Sequence, residues 1–383
     1  MIYVDNAATT PISRRVCRAM WPYIIGNYGN PSSIYDYGIN NKLVIENSRK
    51  TIASTIGAKP EEIFFTSGGT EGDNWVLRNA VSGCSSNDNK HRGHIIVSNI
   101  EHHAILNTCN ELINEGYDVD YLKVKRNGIV DVSMLEKLIR HDTVLISVML
   151  VNNEIGTIQP LKEICDIAYG YEIPVHTDAV AGYGHIPVDV NVLGVNYLSV
   201  SAHKIRGPKG VGFVYARDAK IKPMIYGGGQ EMKKRSGTEN VAGIVGLGVA
   251  AKEAQDTIGE RTRVEFRTRE YMKSRILKEI PNVVFNGDEI QRVSGNLNFS
   301  FKGITAGTLV VMLDKQGICA SAGSACSSGD SKPSHVLKAI GLDDDMASGS
   351  LRLTLDHNIS MKEAEYCVNC IKYDVFKLRN LVE

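Results

Sequence analysis

The chain has 383 residues, 43 Lys+Arg balanced by 43 Asp+Glu, and 43% hydrophobic residues. That length suits one large domain and a smaller one, each with its own core. Balanced charge gives no field to recruit nucleic acid or an anionic membrane, and the longest apolar stretch, around 144–151, is too short to cross a bilayer.

No Lys/Arg block is interleaved with aromatics, so direct nucleic-acid binding is not expected. The N-terminus, Met1-Ile-Tyr-Val-Asp5, has neither a basic nor an apolar leader region, and a cytoplasmic location is expected. Eight cysteines in a chain of this length do not resemble a secreted disulfide framework. Cys367-x-x-Cys370 falls in a helix-like segment with no second Cys pair or His cluster at ligand spacing, so no metal site is expected.

In chain order, β-like runs alternate with helix-like segments from about residue 60 to 215: 62–65, 94–97, 144–149, 173–176, 197–200 and 211–214. Such alternation predicts an α/β fold, a mostly parallel sheet with helices on both faces and ligands at the carboxyl ends of its strands. The polar stretch 82–92 reads as a surface loop. Beyond about 255 the pattern changes. A charged helix over 260–279, a half-buried strand over 296–301, a helix over 306–316, a strand over 350–355 and a terminal helix over 362–381 predict a smaller α+β domain. The expected division is 15–255 for the large domain, with 1–14 and 256–383 forming the small one.

Residues with chemistry cluster at strand ends. Asn196 to Lys204 is an apolar run closing on Ser201, His203 and Lys204, followed by Gly207, Gly210 and Gly212. A lysine at the end of a buried strand must be paired, neutral or covalently modified. Val175-His-Thr-Asp178 delivers a carboxylate in the same way. Lysine and aspartate at strand ends form the pair that pyridoxal phosphate requires, one to bind its aldehyde and one to keep its ring nitrogen protonated. Thr66 to Glu71, a Gly-Gly turn opening a helix, suits a phosphate. His102, at a helix start, suits ring stacking and proton transfer. Asn152-Asn153-Glu-Ile-Gly156 offers an amide at another strand end. In Ser321 to Pro333 a single thiol, Cys326, sits among small residues, as suits a nucleophile that reaches a substrate and withdraws. Arg352 is a charge inside an apolar run and calls for an anionic partner, such as a substrate carboxylate.

The ordered set Asp5–Thr10, Tyr28–Ser33, Ser67–Glu71, Glu101-His102, Asn152–Gly156, Ser201-x-His-Lys204, Arg235–Thr238 and Gly323–Cys326 resembles the cysteine desulfurases of the iron–sulfur-assembly and nitrogen-fixation type, within the class V aminotransferase-like enzymes. The resemblance spans Asp5 to Arg352. It implies a PLP-dependent transferase fold of the aspartate aminotransferase kind and conversion of L-cysteine to L-alanine, with sulfur passing to Cys326 as a persulfide. It further implies that Lys204 binds the cofactor covalently, Asp178 partners the ring nitrogen and His102 stacks on the ring. Gly69, Thr70, Ser201 and His203 would bind the phosphate, joined by Thr238 from the other subunit of a homodimer. Asn30, Asn153 and Arg352 would bind substrate, and a cluster scaffold or tRNA-thiolation enzyme would accept the sulfur. Two departures stand out. Ala181 occupies the position where the family carries a Gln that bonds the cofactor's phenolic oxygen, and His357 stands near a position where relatives carry Arg. A selenocysteine lyase, another class V enzyme, or a weakly active sulfur-transfer scaffold are the alternative readings.

Overall fold

The computed structural model describes residues 1–84, 93–323 and 333–381. The alternating segments build a seven-stranded sheet from β2 (Ile63–Thr66), β3 (His94–Ser98), β4 (Asp118–Leu122), β5 (Thr143–Ser147), β6 (Val175–Asp178), β7 (Tyr197–Ser201) and β8 (Gly212–Ala216). Their order is β2-β8-β7-β6-β5-β3-β4. β7, β6, β5, β3 and β4 pair in parallel, while β8 runs antiparallel to both β7 and β2. β8 is thus the one reversed strand of this sheet. β2, β3, β6 and β8 are buried along their whole length, because helices cover both faces.

The sequence pattern missed β4. It is an edge strand carrying Asp118 and Asp120, and such charged edges carry little of the apolar signal that marks an interior strand.

A second sheet has the order β12 (Ser321–Ala322), β13 (Ser350–Thr354), β10 (Asn296–Phe301), β9 (Val283–Phe285), antiparallel throughout. The N-terminal strand β1 (Ile2–Tyr3) pairs in parallel with β11 (Ile318–Cys319), and Asp5 bridges to Thr354. β10 is not half-buried as its alternation suggests; all six residues are buried. Its polar face is covered by hydrogen-bonding neighbours, with Asn296 Oδ1 the atom left without a partner among the described residues. Asn298 Oδ1 accepts from Asn286 Nδ2 at 2.7 Å and from Ser350 Oγ at 3.0 Å, and its Nδ2 donates to the Glu154 carbonyl at 3.2 Å.

The helix expected over 260–279 is the second half of a 39-residue helix, Val241–Glu279. Its first half is apolar on its buried side: Ile244, Leu247, Ala250, Ala251 and Ala254 belong to the core under the seven-stranded sheet. Its second half carries Met272 and Ile276 into a separate core with Val4, Leu297, Phe299, Leu351 and Val368. Cys367 and Cys370 lie buried in the terminal helix Met361–Asn380. No helix among the described residues is long and apolar enough to cross a membrane.

Candidate active site

The carboxyl ends of β2, β3, β5, β6 and β7 open onto one cavity of about 670 Å³. Its lining includes Gly69, Thr70, His102, Asn153, Asp178, Ser201, His203, Lys204 and Arg352. The cavity also takes in Asn6 to Thr9, Asp73, Ala181 and His185. Asn30 and Thr238 are not brought to it. Asn30 is exposed, its side chain accepting from the Ser32 amide at 2.9 Å, and Thr238 is exposed on the excursion before the long helix. Cys326 lies outside the described residues.

Lys204 ends a single helical turn after β7, and its ammonium donates to the carbonyls of Ala7 at 2.5 Å and Ala8 at 2.9 Å. The N-terminal segment is fastened there. Thr10 Oγ donates to the His203 carbonyl at 2.8 Å and accepts from the Arg206 amide at 2.8 Å. His203 and His185 are each pushed down to about 4, chiefly by burial and then by neighbouring cations, so both rings are neutral near pH 7. His185 Nε2 stands 3.2 Å from the Lys204 carbonyl, which only accepts; this places the proton on Nε2.

Asp178 closes β6, with the Val180 amide donating to its Oδ1 at 2.8 Å. Burial raises its carboxyl, against the pull of His102 and Lys204. Two further carboxyls lie buried nearby. Asp73 is pushed up by burial and by Asp178, and Glu101 is raised to about 8, mainly by burial, despite hydrogen bonds from Ser98 and Met149. His102 caps the helix His103–Asn114, accepting the Ala104 amide on Nδ1 at 3.1 Å, so in the neutral ring Nε2 carries the proton.

The phosphate-like end is a helix N-terminus. Gly68 has φ +154° and the helix Gly69–Val81 starts behind it, leaving its first amides without intrahelical partners. A Cβ added at Gly69 would stand 2.5 Å from Val180 Cγ2, so the backbone is pressed against the β6 turn as only glycine allows.

On the opposite wall Asn152 folds its turn, its Oδ1 accepting from the Glu154 and Ile155 amides at 2.9 and 3.0 Å, and Asn153 is left to line the cavity. Arg352 is fully buried in β13. The anionic partner it calls for is supplied within the chain: Nη2 pairs with Asp5 at 2.8 Å, while Nη1 donates to the Asn153 carbonyl at 3.2 Å and Nε has no hydrogen-bond partner among the described residues. His357 pairs with Asp356 at 2.9 Å and does not line the cavity.

These residues fit pyridoxal phosphate. A protonated ring nitrogen beside Asp178 would offset the burial that raises Asp178 and Asp73, and a phosphate would take the amides at Gly69 and Thr70 together with the Ser201 hydroxyl. Ala181 presents only a methyl group to the cavity. Sequence reasoning missed Asp73, Glu101 and His185. Of these, only Glu101 carried a signal, as the neighbour of His102.

The chain matches the class-V aminotransferase family over residues 2–366. It is 46% identical to the cysteine desulfurase IscS of Methanosarcina thermophila, over 99% of this chain and 93% of that protein. Identity to the cysteine desulfurase IscS of Dictyoglomus turgidum is 44%, over 99% and 96%. Among solved structures, a NifS-like protein superimposes with a TM-score of 0.90 at 36% identity, covering 98% of this chain and 99% of that one. SspA in complex with cysteine gives 0.82 at 35%, covering 93% and 99%. The chain belongs to the class-V aminotransferase family, and within it to the cysteine desulfurases.

Proposed function

We propose that this protein takes sulfur from L-cysteine, releases L-alanine and carries the sulfur on Cys326 as a persulfide. The observation that carries the reading is one cavity in which Lys204, the buried Asp178 and a glycine-lined helix N-terminus face each other. Pyridoxal phosphate, the cofactor of this family, supplies an electron sink for the charge left when the substrate loses its α-proton. Lys204 holds the cofactor and, once displaced by substrate, takes that proton on Nζ. Asp178 keeps the ring nitrogen protonated. His102, carrying its proton on Nε2, stacks on the ring and handles the proton at the departing sulfur. Arg352, fixed by Asp5, and Asn153 hold the substrate carboxylate. The Cys326 sulfur forms the S–S bond as the substrate C–S bond breaks. The thiol is thereby oxidised to the persulfide level, and the substrate carbon is left reduced for protonation to the methyl of alanine.

Several features support the finer expectations. Trp21, Ile24, Ile25, Tyr28, Ile34 and Tyr35 are exposed around the first two helices, as a homodimer face would be in an isolated chain. Thr238 is exposed as well, and reaches the phosphate of the partner subunit. The two cores support the division into a large domain and a small one, with the change falling inside the long helix. The sulfur passes to a cluster scaffold or thiolation enzyme in the cytoplasm.

The test is alanine release from L-cysteine by the PLP-loaded protein with reductant, beside Cys326→Ala. The expected result is equimolar alanine and sulfide from the native chain and at most a trace from the variant. Full activity in Cys326→Ala would remove that thiol from the reaction. A loaded protein that makes neither product would overturn the reading.

A further inference from the structure

A single carboxylate ties the cavity to the chain segment that projects away from it. Glu71 lies in the first turn of the helix Gly69–Val81, and its Oε2 accepts the Ser67 amide at 2.8 Å, closing the glycine loop. The same carboxylate takes Arg235 in a fork, Nε to Oε1 at 2.8 Å and Nη2 to Oε2 at 3.1 Å. Burial pushes the Glu71 carboxyl up, but the hydrogen bonds from Arg235 and Ser67 outweigh it and hold it below its ordinary value.

Arg235 belongs to an excursion, 225–240, that is stiff by construction. Ile225 bridges to Arg235, the Ser236 amide donates to the Ile225 carbonyl at 3.2 Å, and the Gly237 amide donates to Gln230 Oε1 at 3.0 Å. Three successive residues, Glu231, Met232 and Lys233, have φ of +47°, +55° and +66°. They are held there by the buried Glu231, which receives Arg49 on both oxygens at 2.7 and 2.8 Å and the Phe65 amide at 2.8 Å. Phe65 is in β2, two residues before the loop at Ser67. The excursion is therefore fixed twice to the element bearing the glycine loop, once at Phe65 and once at Glu71, and Gly237 and Thr238 beyond these anchors are exposed.

We propose that Glu71 and Arg235 couple the two cofactor sites of the dimer, so that each Arg235 helps retain the cofactor of its own subunit and that of its partner. This rests on the reading that Thr238 reaches the partner's phosphate. Within its own subunit Arg235 steadies Glu71 and hence Ser67 and the loop that follows. Three residues further on, the same backbone presents Thr238 to the other subunit. A displaced loop in one site moves the donor offered to the other.

The test uses mixed dimers, assembled from differently tagged chains, in which one chain carries Lys204→Ala, so that absorbance of lysine-bound cofactor reports the other site alone. Dissociation of PLP is then followed with Arg235→Gln placed either in the reporting chain or in its partner. The expected result is faster loss in both arrangements, by about tenfold for one charged, forked hydrogen bond. Glu71→Gln, which leaves Arg235 in place, should act in the same two arrangements and guards against a folding defect peculiar to one variant. Faster loss only in the reporting chain, only in its partner, or in neither overturns the coupling. Thr238→Ala in the partner separates the two levels. No effect there defeats the dimer reading and the coupling with it, whereas an effect of Thr238→Ala without one from Arg235→Gln in the partner defeats the coupling alone.

Discussion

Gly212 opens β8 directly beneath the glycine loop. A Cβ there would clash with the Val200 carbonyl and stand 2.8 Å from Gly68 Cα, both of them backbone, so neither can swing aside. Gly212→Ala should therefore lower stability by about 1–3 kcal/mol through overpacking and displace the phosphate-binding turn. Urea unfolding and PLP retention would both register it; unchanged retention would show that the turn tolerates the shift. Glu71 gives a pH signature at the same scale. Its folded carboxyl titrates below the ordinary 4.5, so its contribution to stability is complete above that value and is lost as pH falls through the lower folded value. The Tm gap between the native chain and Glu71→Gln should be constant at neutral pH and close on acidification below about 4.5. A gap independent of pH would mean that the Arg235 pairing contributes nothing net. Lys204, Asp178 and Arg352 were legible in the sequence because each is a charge set in an apolar run, which has to be explained. Asp73 and His185 gave no such signal. Each sits among ordinary neighbours and is brought to the cavity by the fold, Asp73 from inside a helix and His185 from the turn after β6.

At the scale of elements, the excursion 225–240 is where local preference and native structure disagree most. Left-handed backbone costs an L-residue roughly 1–2 kcal/mol, and Lys233 adopts it at φ +66° with its side chain exposed. Lys233→Gly should relieve that strain without removing a packed group, raising stability by about 1 kcal/mol in urea titration. A loss instead would mean that the Lys233 side chain makes up for its backbone. The strands of the large sheet were legible because both faces are buried and the runs are continuously apolar. The start of the long helix was not. Its first half, Val241–Ala254, is rich in Gly and Ala that allow close packing against the helices Arg14–Ile25 and Asp36–Thr55, and such a stretch carries little of the polar-face pattern that marks a surface helix. β10 misled for the opposite reason. Its Asn and Ser residues read as a solvent face, but they bond to Asn286, Ser350 and the turn at Glu154 in the interior.

For the whole molecule, the surface argues for a partner. Trp21, Ile25, Tyr28 and Ile34 are 59%, 61%, 81% and 94% exposed, large apolar side chains close together along the chain at the end of one helix and the start of the next. Four such residues scattered singly would need no explanation; grouped, they mark a face that water leaves uncovered only at a cost. A stable interface buries about 800 Å² on each partner, with a desolvated apolar centre that tolerates no charge. Trp21→Glu combined with Ile25→Glu places two carboxylates in that centre while leaving the cavity residues untouched. The expected outcome in sedimentation velocity is a dimer for the native chain and a monomer for the double variant. Because Thr238 stands outside the cavity of its own chain, the monomer should also lose PLP faster, although Lys204, Asp178 and the glycine loop are all intact. A monomeric variant that keeps its cofactor as well as the native dimer does would show that each chain completes its own site. A native chain that sediments as a monomer would leave this apolar face to some other occupant.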